Sequence, residues 1–242
     1  MEWKRKVDGV LGALLASVLP SRCLLCGGEG MQARSLCAGC LADLPENTCC
    51  CARCALPLEH AADACGICLK REPPFASAWA PYRYAHPLNL LESRFKFRRD
   101  LAAGHLLAHL MIDCARRQLT DALPQRLLCV PLHQARLRER GYNQALELAK
   151  PLARALEIPL DAHALIRTRS TSAQTGLDAK ARRRNLKDAF AVDSAAELPA
   201  HVAILDDVMT TGTTLRECAR VLRNAGVERV DVWALARAPA RR

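Results

Sequence analysis

At 242 residues the chain has room for one or two domains and a sizeable core. Half of it is apolar and its formal charge is +10, which excludes a disordered or acidic tail and favours anionic partners. No apolar stretch approaches the ~20 residues needed to span a bilayer; the longest covers 10–19.

In the first twenty residues Trp3, Val7, Val10, Leu11, Leu14, Leu15 and Val18 recur at helical spacing. They predict an amphipathic helix over 1–20, ended by Pro20 and docked on the protein. Peripheral contact with a membrane surface is the weaker alternative. Lys4, Arg5 and Lys6 before an apolar run outline a signal peptide, but Asp8 interrupts it and no small-residue cleavage pattern precedes Ser21. The expected location is cytoplasmic.

A cysteine-rich segment over 21–72 follows. Cys23, Cys26, Cys37 and Cys40 form two C-x-x-C pairs, and Cys51, Cys54, Cys65 and Cys68 repeat them with the same spacing. Each pair places two thiolates on one tight knuckle, and two knuckles complete a tetrahedral Zn2+ shell. Two structural zinc ions are expected, one per repeat. A disulfide framework is the rival; redox motifs of this type usually follow a strand and open a helix, which is not expected here. Cys49 and Cys50 are surplus, and either is an alternative to Cys51 as a ligand. Cys114, Cys129 and Cys218 sit in apolar contexts and read as buried thiols.

Pro73 and Pro74 mark a boundary, and α/β alternation occupies 75–242. Strand character covers 76–84. One or two helices cover 87–119, carrying the cations Arg94, Lys96, Arg98 and Arg99. A short buried strand, 127–132, runs into a loop of donors with Leu132, His133, Arg136, Arg138 and Arg140, a candidate anion site. A helix over 143–156 comes next. Beyond 165–169 a polar segment leads to Lys180, Arg182, Arg183, Arg184 and Lys187, expected to be a mobile basic loop before a strand at 189–192.

The densest chemistry lies at 204–215. A strand over 201–205 carries Asp206 and Asp207 at its carboxyl end, where open α/β sheets bind ligands. The carboxylates are expected to face solvent. Thr210, Thr211, Gly212, Thr213 and Thr214 then open a helix over 214–224 whose first N–H groups point at an anion. One end of this site suits a phosphate and the other suits sugar hydroxyls or a divalent cation. No Lys follows Gly212, so it is not a Walker loop. A last strand covers 227–236, in which Trp233 reads as packing.

Residues 206–214 resemble the phosphoribosyl pyrophosphate (PRPP) signature of type I phosphoribosyltransferases. The resemblance implies that Asp206 and Asp207 hold the ribose hydroxyls and Thr210 to Thr214 the 5′-phosphate. Leu132, His133 and Arg136 then hold the pyrophosphate, and the basic loop closes over it; that loop could equally track a nucleic-acid backbone. The whole chain, with Arg140, Gly141, Tyr142, Asn143 and Gln144 and the cysteine repeat, resembles the ComF/GntX family of competence-associated proteins. That implies a type I phosphoribosyltransferase-like parallel sheet with flanking helices, preceded by a double zinc ribbon. It also implies Mg2+ with PRPP, contact with single-stranded DNA and proteins of DNA uptake as partners. The alternative is an active phosphoribosyltransferase moving ribose 5-phosphate from PRPP to a base or amine, with Asp206, Asp207 and Arg136 as its catalytic set. No base-stacking aromatic is evident in the C-terminal strands.

Overall fold

The computed structural model describes residues 21–31, 34–119, 122–169 and 188–240. The expected N-terminal helix over 1–20 and basic loop over 180–187 lie outside the described residues. The rest forms the predicted parallel sheet with helices on both faces. Strands β1 (Ser77–Trp79), β3 (Arg126–Cys129), β4 (Leu160–Asp161), β7 (His201–Met209) and β8 (Arg229–Arg237) lie in the order β1-β8-β7-β3-β4. All neighbours are parallel, and β2 (Tyr82–Arg83) pairs with the far end of β8. A separate antiparallel pair joins β5 (Leu165–Arg167) to β6 (Phe190–Val192). The helices are α1 (Ala38–Ala42), α2 (Gly66–Lys70), α3 (Leu88–Phe97), α4 (Leu101–Gln118), α5 (Gln134–Arg140), α6 (Gln144–Ala155) and α7 (Thr213–Asn224).

Several elements differ from the sequence expectation. The strand over 76–84 is split, because Pro81 has no N–H for the ladder. The helical stretch over 87–119 breaks where Arg99 takes a left-handed φ of 56° and Asp100 caps α4, accepting from Ala103 N at 3.0 Å. The expected donor loop at 133–140 is instead helix α5, capped by His133 and stopped by Gly141 at φ 88°.

The two sheet faces follow from strand alternation. Ala203 and Leu205 of β7 pack on the side of α4 and α6, with Leu107, Leu110, Leu148 and Leu152. Val202 and Ile204 pack on the side of α7, with Leu215, Cys218, Ala219 and Leu222. The cysteine-rich segment divides between these layers. Cys23, Leu36 and Leu44 join the α4/α6 core. Cys51, Cys54, Leu56, Cys65 and Cys68 join the α7 core. The segment therefore borrows apolar partners from the sheet in addition to any metal it holds.

Arg237, at the end of β8, is 4% exposed and fastens these parts together. Its Nε donates to Cys54 O at 3.1 Å, and its Nη1 donates to Met209 O and Ala238 O, both at 2.9 Å, and to Thr210 O. Burial pushes the guanidinium pKa down, opposed by the nearby thiols of Cys54 and Cys65. A buried cation persists when its donors are all used and negative groups surround it. We expect Arg237→Met to lower stability by about 3 kcal/mol, because it strands several buried carbonyls. Urea denaturation with zinc present reads this directly; a change within about 0.5 kcal/mol would contradict the role given to Arg237.

Candidate functional site: two thiolate clusters and a cleft at the strand ends

The eight repeated cysteines gather as two groups of four, one per repeat, with all ligand sulfurs of a group within 4.8 Å of one another. Cys26 Sγ lies 3.7 Å from Cys37 Sγ, and Cys54 Sγ lies 3.7 Å from Cys65 Sγ. Four sulfurs at ~2.3 Å from a tetrahedral Zn2+ stand about 3.8 Å apart, so the spacing fits that ion. It is far beyond the ~2.05 Å of a disulfide, and all the cysteines are unbridged. The knuckles add N–H donors: Cys65 N reaches Cys51 Sγ at 3.1 Å and Cys40 N reaches Cys37 Sγ at 3.4 Å. Cys51 takes the ligand position, leaving Cys49 and Cys50 outside the cluster. Four thiolates leave no open coordination position, which makes both sites structural. Contrary to expectation, two of the knuckles do open helices, since Cys37 and Cys65 are the N-caps of α1 and α2. Metal is favoured by the four-sulfur grouping. Cys114, Cys129 and Cys218 are buried, as their apolar contexts predict.

A cleft of about 710 Å3 opens beyond the C-terminal ends of β3 and β7. It is bordered by Leu132 and Arg136 on one side, by Asp206 and Asp207 of β7, and by Thr210, Gly212, Thr213 and Thr214. The structure thus brings together most of the predicted ligand-binding residues. Two of them do other things. His133 is not among the lining residues; its Nδ1 accepts from Ala135 N at 3.2 Å and caps α5. Thr211 is also outside the lining, and its Oγ1 lies 2.8 Å from Thr213 Oγ1. Gly212, at φ 72°, is required twice over: a Cβ there would stand 2.6 Å from Met209 Cε.

The acidic pair departs from expectation. Strand β7 runs on to Met209, paired with β8 through Val208 and Met209, so the carboxylates sit inside a ladder rather than beyond its end. They are half-buried and do not face open solvent. Both border the cleft, and Asp206 Oδ1 accepts from Asp207 N at 2.9 Å. Asp207 meets Lys96 of α3 at 2.9 Å, and Lys96 also reaches Glu92 at 3.1 Å. Glu92 is 2% exposed and accepts from Tyr84 OH at 3.2 Å. Burial raises the Asp207 pKa, but the Lys96 charge outweighs it and holds the carboxyl below the usual range. Among the described residues Asp206 pairs with no cation. Burial and the charge of Asp207 push it well above the usual range. Burial would lower the Lys96 pKa, yet Asp207 and Glu92 together raise it. One carboxylate is therefore held ionised and the other is driven towards its protonated form.

Sequence reasoning counted Lys96 only among surface cations and did not single out Tyr84 or Glu92. The available signal was Glu92 itself, which shares a helical face with Leu88, Leu91 and Phe95. A carboxylate on an apolar stripe needs a partner. Gln144, part of a family motif in the sequence, also borders the cleft; it is 2% exposed, and among the described residues its Nε2 has no hydrogen-bond partner. Trp233 packs edge-on against Trp79 at 5.7 Å, as expected for a core residue. Among the described residues no helix is long and apolar enough to cross a membrane.

Comparison with known proteins follows the same division. Residues 14–69 match the double zinc ribbon domain, and residues 143–242 match the phosphoribosyl transferase domain. Competence protein F of Haemophilus influenzae is 40% identical over 223 residues, covering 90% of this chain and 97% of that protein. DNA utilization protein YhgH of Escherichia coli O157:H7 is 39% identical over 226 residues, covering 90% of this chain and 98% of its own. Competence protein ComFC of Streptococcus pneumoniae is 24% identical over 231 residues, covering 89% and 100%.

The two clusters differ in burial: the first is partly exposed, whereas all four cysteines of the second are buried. Zinc release to a chromophoric chelator should therefore be biphasic, with one equivalent in each phase and the fast one assigned to the first cluster. Cys26→Ser should remove the fast phase alone. A single phase, or a zinc content near zero, would contradict this assignment.

Proposed function

The chain belongs to the family of competence protein F and DNA utilization protein YhgH, and from that membership we propose that it is a PRPP-binding protein of DNA uptake and use. The observation that carries the reading is the cleft, which joins an anion-binding helix terminus to a carboxylate pair and a basic wall. The first N–H groups of α7 lack helical partners and point towards a 5′-phosphate, with Thr213 and Thr214 hydroxyls beside them. Asp206 and Asp207 accept from the ribose hydroxyls. Arg136, Arg140 and the Nε2 of Gln144, without a hydrogen bond among the described residues, take the pyrophosphate. Leu132 shapes that end of the cleft, while His133 serves it indirectly by capping α5.

Mg2+ fits this site as a passenger on the oxygens of the pyrophosphate, the donors that this ion prefers. Asp206 is the carboxylate left to face it, because Asp207 is held by Lys96. Bound there, the ion supplies neutralisation of the pyrophosphate charge. Transfer of ribose 5-phosphate to a base or amine is the second reading. It is favoured by Arg136 and Arg140 standing in the same cleft as the carboxylates, where they would stabilise a departing pyrophosphate. Pyrophosphate release from PRPP over a panel of bases and amines separates the two. The abundance of unbridged thiols fits a reducing, cytoplasmic setting.

Single-stranded DNA is the proposed macromolecular partner. Arg98 and Arg99 after α3 and Arg138 and Arg140 of α5 come from separate segments, and Arg99 Nη2 joins them by donating to Glu139 O at 2.5 Å. Arg99 and Arg140 border the cleft. Binding should weaken steeply with salt, with a log–log slope of roughly −0.7 per phosphate neutralised. Arg98→Glu with Arg138→Glu should shrink the slope by about 0.7 for each contact removed while PRPP binding persists. An unchanged slope in that variant would move the DNA surface elsewhere.

PRPP binding itself is tested by calorimetry. Asp206→Ala should weaken it about 10- to 100-fold, the range for a hydrogen bond to a charged group. Ribose hydroxyls donate to the ionised carboxylate, and the unliganded Asp206 pKa is raised. Affinity should therefore fall as pH drops through that raised value, and binding near it should release a proton. Asp206→Asn should remove both effects. Absence of PRPP binding in the unmodified protein would overturn the assignment.

A further inference from the structure

The chain has four phenylalanines. Phe75, Phe95 and Phe190 are at most 4% exposed, whereas Phe97 is 67% exposed and borders the cleft. Phe97 ends α3, on a different face from the inward Leu88, Leu91 and Phe95. Its presentation is braced on both sides. Arg94 Nη2 pairs with Asp100 Oδ2 at 2.7 Å, and Arg94 Nη1 donates to Leu24 O at 2.5 Å, tying the end of α3 to the first cysteine repeat. Arg99 is anchored on Glu139 O, and Lys96, the residue before Phe97, is fixed on Asp207. A frayed loop would hide or release such a ring; this one is held in the open at the mouth of a charged cleft.

The surrounding chemistry selects what the ring meets. The same cleft is lined by the guanidinium groups of Arg99, Arg136 and Arg140, with the carboxylates of Glu139, Asp206 and Asp207 among them. An exposed phenyl face that shares a cleft with guanidinium groups suits a planar π system joined to negative charge. It does not suit an aliphatic chain, which needs a continuous apolar wall. We propose that Phe97 is a stacking platform for a nucleobase at the mouth of the cleft. The base belongs either to a DNA strand crossing the cleft or to a free acceptor lying beside PRPP. The proposal deepens the reading given above and rests on it for where the phosphates lie. It also supplies the aromatic that the C-terminal strands lack, from a helix more than a hundred residues earlier in the chain.

The test uses the full zinc-loaded chain and its Phe97→Ala and Phe97→Trp variants. Fluorescence anisotropy measures binding of a short thymidine oligomer and of an abasic oligomer of equal length. Calorimetry measures binding of adenine, guanine, cytosine and uracil in the presence of PRPP, and of PRPP alone. One stacked base is worth roughly 5- to 150-fold in affinity. Phe97→Ala should cost that much against a base-bearing probe, leave the abasic oligomer and PRPP unaffected, and be restored by Phe97→Trp. Loss confined to the thymidine oligomer supports the strand as the source; loss confined to a free base supports the acceptor. Equal loss with the abasic oligomer, no loss with any base, or binding of neither kind of base probe to the unmodified chain overturns the proposal. The oligomer arm needs no PRPP, so a failure of PRPP binding is seen separately.

Discussion

The register of strand β7 is the constraint on which the rest of the molecule depends. It is hydrogen-bonded to β8 along almost its whole length and to β3 along its first half. A strand so paired cannot rotate, and each successive side chain must go to the opposite face. That alternation sends Ala203 and Leu205 into one apolar layer and Val202 and Ile204 into the other. Carried two residues further, it sets Asp206 and Asp207 side by side at the cleft in different surroundings. Two adjacent carboxylates on a loop would relax apart or share solvent. Here their backbone positions are set by the ladder, and only one of them falls within reach of Lys96.

The consequence is chemical asymmetry in a pair that looks symmetrical in sequence. The ammonium group makes Asp207 a fixed anion, and burial makes Asp206 a titrating one. Glu92 shares the ammonium and is itself buried, so the local charge is balanced before any ligand arrives. The unliganded cleft is not a bare acidic pocket that would draw any dissolved cation. A ligand must bring oxygens that the helix terminus and the arginines can use.

Much of this was legible in the sequence because the relevant groups are close along the chain. The threonine-rich turn, the acidic pair and the C-x-x-C knuckles each complete their chemistry within a few residues. The sheet was legible because its buried strands are short apolar runs separated by helical patterns. The Lys96–Asp207 contact was not, since it depends on α3 crossing to the end of a strand far along the chain. Helix α5 is hidden by its charge density, since Arg136, Arg138 and Arg140 in close succession look like a solvated loop. Yet Gln134 to Arg140 contains only helix-compatible residues, with a breaker only at Gly141. Phe97 went unremarked because periodicity picks out what is buried and is silent about an aromatic that stays outside.

Cys54 and Arg237 are 183 positions apart, yet the carbonyl of one is held by the guanidinium of the other. During synthesis from the N-terminus, the second cysteine knuckle emerges long before the strand that completes it. Its thiolates can capture metal early, but its apolar side and its carbonyl must wait for β8. The second ribbon is therefore not an independent bead on a string. Truncating the last strand would remove its support, and an excised ribbon would be a metal-binding peptide without its native seat. Zinc occupancy and completion of the sheet are joined through a strand that is made long after the knuckle it supports.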